Sequence, residues 1–320
     1  MRFLIIVLSF LLVSGSSEAG FPRDSSLSDP GLRMFYPGLH AAGFMMRDSG
    51  ASDRSSLTRQ GEISYGRLAL VGGTLLGSMA AIHIYQQNGW WKDNRADFHF
   101  QEDLQYGLWV DKIGHFYGGY LVGYAIQKSV EWANVPEEHA VWIGAGGGLL
   151  FQTYVEVEDG FSTWGFDRVD FAMDVGGAAW LIGRQYVPML RRFDVKLSYH
   201  ASPLLGGTEG IGFRGQQHLV IDDYEGQTFW LGVKVHDFLP ESMKSLWPDF
   251  LCLAVGYGAR DVANTNAYRI LLLAPDLDMT KVIPPRTSFL KALGEVLNFI
   301  HMPLPAVQIS PNAIWYGVYF

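Results

Sequence analysis

Asp111 and His115 stand four residues apart, which on a helix places a carboxylate and an imidazole on one face. Glu156, Glu158 and Asp159 follow, and then Asp167, Asp170 and Asp174 at spacings of three and four that again stack on one face. Lys112 and Arg168 are interleaved with these acids. Burying carboxylates is costly unless they are paired, protonated or bound to a cation. Three chemistries are open to Asp111, Lys112, His115, Glu156, Asp159, Asp167, Asp170 and Asp174. In the first, Asp111, His115, Glu156, Asp170 and Asp174 hold a divalent metal, as helical bundles do with inward carboxylates and histidines, and an open coordination position would then support hydrolysis. In the second, Lys112, Arg168 and His115 neutralise the acids in a structural network that fixes helix register and needs no ligand. In the third, the acids cap helices, with Asp167 or Asp170 at an N-cap or first turn.

The elements that must position these groups are four apolar segments of helical pattern: Arg67 to Gln87, Leu108 to Asn134, His139 to Val157, and Val169 to Val187. Asn88-Gly89, Asn134 with Pro136, Asp159-Gly160 and Pro188 punctuate them. Glycines at 72–73, 118–119, 144, 146–148 and 176–177 let helix backbones approach closely in a tight bundle or in lipid. Each costs about 1 kcal/mol of helix propensity at an exposed position, so their density calls for a packing reason. The glycines near 144 make no phosphate loop, because no Lys-Ser or Lys-Thr follows, and no Gly-x-Ser-x-Gly nucleophile elbow occurs. His83 and His139 stand alone on helices and read as ordinary histidines, whereas Trp90-Trp91-Lys92 suits either a membrane-interface belt or a buried loop anchor.

After Arg192 the pattern changes to alternating, aromatic-rich runs: Phe193 to His200, Gln217 to Ile221, Gln227 to His236, Phe250 to Gly258, Tyr268 to Met279, and a last run ending at Phe320. These read as antiparallel strands. Phe289, Leu290, Leu293, Val296, Leu297 and Ile300 mark one face of an amphipathic helix before the last. Ile314, Tyr316, Val318 and Phe320 alternate in the final strand, which reads either as a barrel-assembly signal with a lipid-facing row or as the edge of a half-buried sheet.

The start of the chain has the three parts of a secretory signal: Arg2, an apolar run from Phe3 to Val13, and a small-residue exit ending at Ala19. That run is too short to span a bilayer, and no cysteine follows it to carry a lipid. Residues 20–62 are rich in Ser, Gly, Asp and Arg without periodicity and read as an extended arm, with Met34-Phe35-Tyr36-Pro37 as a docking patch. The single cysteine, Cys252, excludes an intramolecular disulfide. A hydrophobic content of 48% lies toward the membrane-associated end of the soluble range, and a net charge of −8 without a basic cluster argues against nucleic acid as partner.

Asp111-Lys112-x-x-His115-Phe116, Tyr154-Val155-Glu156-Val157-Glu158-Asp159-Gly160-Phe161-Ser162 and Trp164-Gly165-Phe166-Asp167-Arg168-x-Asp170-Phe171 resemble the YfiM-like family of envelope lipoproteins, a domain of unknown function. Tyr224-x-Gly226-Gln227-Thr228-x-Trp230-Leu231 and Leu253 to Ala259 resemble the second half of its longer members, so the likeness runs from about Gly61 to Phe320. The helices are similar, more distantly, to the VanZ-like membrane family, whose Asp-Lys-x-x-His, later Glu and Asp-x-x-Asp-x-x-x-Asn positions are held here by Asp111, Lys112, His115, Glu156, Asp167, Asp170 and Asp174, with Gly177 following. Asp174 stands where that family has Asn. The resemblance implies an envelope location and strengthens the site, but neither family brings an established reaction.

The reading is an α+β chain: signal peptide over 1–19, extended arm over 20–62, a glycine-rich bundle of about four helices with the acidic-histidine cluster over 63–192, and an antiparallel β-region with one amphipathic helix over 193–320, with membrane association. The outer membrane or periplasm is the expected place, and the inner membrane the alternative. The expected role is a structural or assembly component at the outer membrane whose partner is membrane lipid or an envelope protein. The competing role is a metal-assisted hydrolase or transferase acting on a lipid or cell-wall precursor, with a divalent metal as cofactor.

Overall fold

The structure is a computed structural model that describes residues 62–88, 91–92, 94–207 and 219–320. The signal peptide expected over 1–19 and, apart from Glu62, the arm expected over 20–62 lie outside the described residues. So do Trp90 and the first two residues of the strand expected from Gln217.

The chain has the α+β class expected of it. Four long helices come first, α1 (Tyr65–Asn88), α2 (Val110–Trp132), α3 (Glu137–Gly160) and α4 (Arg168–Tyr186), each built on one of the four apolar segments. A six-stranded antiparallel sheet follows in the order β1 (Phe193–Tyr199), β2 (Gln227–Val233), β3 (Leu251–Arg260), β4 (Tyr268–Leu277), β5 (Leu304–Ser310) and β6 (Ile314–Tyr319). Short helices α5 (Glu241–Lys244) and α6 (Met279–Val282) and the amphipathic α7 (Ser288–Leu297) lie between strands.

Glycines set how α2, α3 and α4 meet. A Cβ on Gly144 would lie 2.4 Å from the Gly123 carbonyl oxygen, and one on Gly177 would lie 2.2 Å from that of Phe116. The helices therefore touch backbone to backbone, and the lost helix propensity is offset by close packing. Helix α1 is laid on more loosely, with Val71 its one buried residue. Arg67 donates to the Trp132 carbonyl (3.0 Å) and covers the Trp132 ring, and His83 meets the Tyr154 hydroxyl at 2.5 Å. Among the described residues α1 is the one helix long and apolar enough to cross a membrane by length and composition.

The sheet packs on α2. Phe229 and Phe299 lie against Tyr117, whose hydroxyl donates to the Phe299 carbonyl at 2.8 Å. Trp230, Ile270, Leu272 and Tyr319 fill the concave side of the sheet, and the Lys196–Asp276 ion pair at 2.8 Å is enclosed with them. His301 stacks on Trp230 with ring centroids 3.9 Å apart. Across the opposite face Leu231, Val255 and Leu273 lie side by side in register and exposed, with Leu253 beside them.

Two strand expectations are corrected. Leu219–Ile221 forms a turn, because Asp222 accepts from the Leu219 amide (2.5 Å) and ties the segment back on itself. The last run is not one strand but the hairpin β5–β6, broken at Pro311–Asn312. The six strands pair in chain order, which leaves β6 as an edge, although Tyr319 curls over to Thr228 (2.9 Å); the outer side of β1 is bridged at Leu197, whose amide donates to the Phe299 carbonyl (3.0 Å) and whose carbonyl accepts from the His301 amide (3.1 Å). The final strand does not keep one alternating row: its register shifts between Tyr316 and Tyr319, opposite Ala306 and Leu304, so that Tyr316 and Tyr319 both meet the core of the sheet while Trp315, Val318 and Phe320 are exposed.

Gly177→Ala should lower stability by about 2–3 kcal/mol, since overpacking against a backbone oxygen has no cheap relief. Gly146→Ala, with nothing within 4 Å of the added methyl, should be neutral or raise stability by up to about 1 kcal/mol. Thermal or urea unfolding of the two variants checks both signs.

Candidate functional site

The predicted polar residues are brought together at one end of the bundle, where α2 and α4 begin and α3 ends. Asp111, Lys112 and His115 come from the first turns of α2. Glu156 and Asp159 come from the last turns of α3. Asp167 caps α4, accepting from the amides of Val169 (2.7 Å) and Asp170 (3.4 Å), so the capping reading holds for Asp167. Asp170 and Asp174 follow one and two turns later, and both are buried. Arg168 does not join the cluster, because it turns outward, pairs with Glu102 (2.5 Å) and covers Phe100.

Lys112 is fully buried, and its ammonium lies 3.2 Å from Asp111 Oδ2, 3.1 Å from Asp167 Oδ2 and 3.0 Å from Asp170 Oδ2, with a further bond to Asp103. Burial opposes this charge, but Asp111, Asp170 and Asp103 outweigh it and push the lysine pKa well up. Asp167 is held below the usual carboxylate range: against burial stand the Asp103 amide, at 3.1 Å, and Lys112.

His115 divides the remaining acids into two groups. Its Nδ1 lies 3.1 Å from Asp174 Oδ1 and 3.5 Å from Glu156 Oε1. Its Nε2 lies 3.9 Å from both Asp111 Oδ1 and Asp170 Oδ2. Gln152 also donates to Asp174 Oδ1 at 2.9 Å, so Asp174 acts as an acceptor and the Nδ1 carries the proton. Glu156 Oε2 accepts from the Asp167 amide at 3.2 Å. Beside the imidazole is a cavity of about 130 Å³ whose lining includes Asp111, His115, Glu156, Asp159, Asp170, Trp91 and Tyr224. Asp170 Oδ1 has no hydrogen-bond partner although it is buried.

The acids outnumber the cations. Seven carboxylates, those of Asp103, Asp111, Glu156, Asp159, Asp167, Asp170 and Asp174, face Lys112 and His115. Burial, reinforced by Asp170, Asp159 and Asp174 against His115, pushes Glu156 up to about 9. Burial and Asp111 push Asp170 up to about 8 against His115 and Lys112. Burial takes Asp159 to about 7 despite the Trp91 Nε1–H bond at 2.6 Å. For His115 burial works downward, but Asp174, Asp111 and Asp170 prevail and raise it well above its ordinary value.

The cluster therefore stores protons or awaits positive charge. Carboxylate and imidazole ligand atoms lie within 4.8 Å of one another in the group Asp111, His115, Asp170 and in the group His115, Glu156, Asp174, so all five residues proposed for a metal from sequence stand in ligating distance. In the second group Asp174 Oδ1 is already engaged by His115 Nδ1 and Gln152 while its Oδ2 is buried without a hydrogen-bond partner; all three residues of the first group line the cavity, as Glu156 of the second does. A third group, Asp103, Asp167 and Asp170, encloses the Lys112 ammonium.

Asp103, Gln152 and Tyr224 were not found from the sequence. Asp103 and Tyr224 come from irregular segments that carry no periodicity, and Gln152 sits on an apolar helix without a charge to draw notice. Trp91, read two ways, is a buried anchor whose indole holds Asp159. His139 is exposed, as read, and His83 pairs with Tyr154 away from the cluster.

Residues 97–183 match the model of a family described as a predicted periplasmic lipoprotein (DUF2279). The matched span carries every helical residue of the cluster. No curated protein matches the chain, and no solved structure does. The match supports an envelope-associated protein of unknown activity, while the likeness to the YfiM-like and VanZ-like families rests on the motifs alone.

Lys112→Met should cost about 3–5 kcal/mol near neutral pH, because it leaves buried carboxylates unpaired, whereas Arg168→Met should stay within about 0.5 kcal/mol, its ion pair being exposed. Metal-free protein should lose stability as pH rises from about 5 to 9. Glu156, Asp159 and Asp170 keep protons in the folded state that the unfolded chain has already released, and raised His115 acts in the same direction. Melting temperatures measured across that range at constant ionic strength test the sign.

Proposed function

We propose that the cavity side of the cluster is a divalent-cation site formed by His115 Nε2, Asp111 and Asp170, and that the protein is a metal-assisted hydrolase or transferase of the cell envelope acting on a lipid or cell-wall precursor. The observation that carries this reading is the split role of His115. Its Nδ1–H is spent on Asp174, which orients the ring and sets Nε2, whose proton a cation would displace, between Asp111 and Asp170, beside the unpartnered Asp170 Oδ1. Histidine oriented by a carboxylate behind it is the arrangement that metal-ligating imidazoles use. One nitrogen and two carboxylates leave coordination positions open toward the cavity, where a bound cation would act as a Lewis acid and lower the pKa of water.

The chain's own residues supply the rest. Glu156 and Asp159 line the same cavity, and with pKa values moved to about 9 and about 7 they can hold and exchange a proton near neutral pH. The indole of Trp91 fixes Asp159 at 2.6 Å. Tyr106, Val155, Trp164 and Ile221 line the same cavity. That apolar part of the lining favours a substrate with hydrocarbon near its reacting group.

A second reading is a structural or assembly component at the outer membrane. It is favoured by Lys112, whose ammonium already occupies a place among four carboxylates, and by the exposed apolar row Leu231, Val255 and Leu273, which suits contact with lipid or another envelope protein.

Elemental analysis of the purified protein separates the two. The cation reading expects about one divalent metal per chain, retained through desalting, and its loss in His115→Ala and Asp170→Asn variants whose circular dichroism is unchanged. Wild-type protein that is metal-free and takes up no added Zn²⁺, Mn²⁺ or Mg²⁺ would leave the cluster a structural network.

A further inference from the structure

We infer that Tyr224, carried by the turn before β2, is a positioning residue that sets Asp111 for the cation, so that the site is complete only with the β-region docked on the helices. This rests on the cation reading above. The Tyr224 hydroxyl donates to Asp111 Oδ1 at 2.7 Å, the same oxygen that lies 3.9 Å from His115 Nε2. Asp111 Oδ2 is taken by Lys112 at 3.2 Å. Phenol and ammonium thus hold the carboxylate from both sides and leave it one orientation, with an Oδ1 lone pair directed at the cavity.

The ring is held in place by close contacts within the main core. Tyr224 is buried, packs edge-on against Tyr106 with centroids 5.4 Å apart, and lies over Gly107. Gly107 has φ +56°, and a Cβ there would come within 2.9 Å of the Tyr224 ring, so glycine is needed for the backbone and for the aromatic together. The turn itself is clamped. Asp223 accepts from the Tyr199 hydroxyl (2.9 Å) and the Ser202 amide (3.0 Å). Glu225 accepts from the Val262 amide (2.6 Å), and Arg260 donates to the Glu225 carbonyl (2.7 Å). Tyr257 of β3 bonds the Leu108 carbonyl one residue past Gly107.

Hydrogen-bond partners behind metal ligands orient them, and their loss costs roughly 10- to 100-fold in metal affinity. The test is titration of the metal-stripped mature protein with Zn²⁺ and with Co²⁺, whose visible spectrum reports ligand geometry. Tyr224→Phe, which removes only the hydroxyl, should weaken the Kd by roughly 10- to 100-fold and shift the Co²⁺ bands while the unfolding transition stays cooperative. In an Asp111→Asn background the same substitution should make little further difference, because the phenol acts through Asp111. Gly107→Ala, which displaces the ring and keeps the hydroxyl, should weaken binding as Tyr224→Phe does. Equal affinity and an unchanged spectrum in Tyr224→Phe would overturn the positioning role, as would a loss of equal size with and without Asp111. Wild-type protein that binds neither ion would instead remove the cation reading on which the role depends.

Discussion

The structure depends on the cost of dehydrating carboxylates. Where α2, α3 and α4 converge, seven acidic side chains are drawn out of water around one ammonium and one imidazole. An isolated buried carboxylate would be prohibitive, and the fold answers with three devices. Lys112 is enclosed completely and spends its charge on Asp103, Asp111, Asp167 and Asp170. The N-terminus of α4 receives Asp167 on its free amides. Burial, with the neighbouring acids, raises the proton affinity of Glu156, Asp159 and Asp170, and the acids raise that of His115 against burial. That third device is the one a cation would replace, because it is a provisional neutralisation by protons.

Everything that holds those helices together serves the same end. Backbone contacts at Gly144 and Gly177 bring the three helices close enough for side chains of four to six atoms to meet at a point. The sheet closes the open side: β2 and β3 press Phe229 and Tyr257 onto α2 and the preceding loop, and the clamped turn before β2 inserts Tyr224. Helices and sheet therefore share one polar centre. Exposed apolar surface lies on α1, whose Gln86 also reaches the cavity lining, and along the Leu231, Val255 and Leu273 row on the sheet.

How much of this the sequence disclosed follows from what each signal measures. Spacings of three and four placed Asp111 with His115, and Asp167, Asp170 and Asp174, on common faces, because helical periodicity is local and strong. The helices and most strands were legible for the same reason. The hairpin at Pro311–Asn312 was not, since alternation continues across it and only turn chemistry breaks the run. Nor was the turn at Leu219–Ile221, where apolar residues imitate a strand and the Asp222 side chain decides otherwise. Asp103 and Tyr224 reach the cluster across 9 and 113 residues of chain through irregular segments, and a pairing of that kind has no periodic trace. Arg168 looked like a neutralising partner because it sits between Asp167 and Asp170, yet adjacent helix positions point in different directions, and it faces Glu102 instead.

The proposed function requires a single cation beside His115 Nε2. Crystals of the protein grown with Mn²⁺ or Zn²⁺, with diffraction recorded on either side of the metal edge, give the most direct measurement. One anomalous peak within coordination distance of His115 Nε2, Asp111 and Asp170, with Lys112 still on its carboxylates, is the predicted result. A cavity without a peak, while metal is found on surface acids or nowhere, would contradict it.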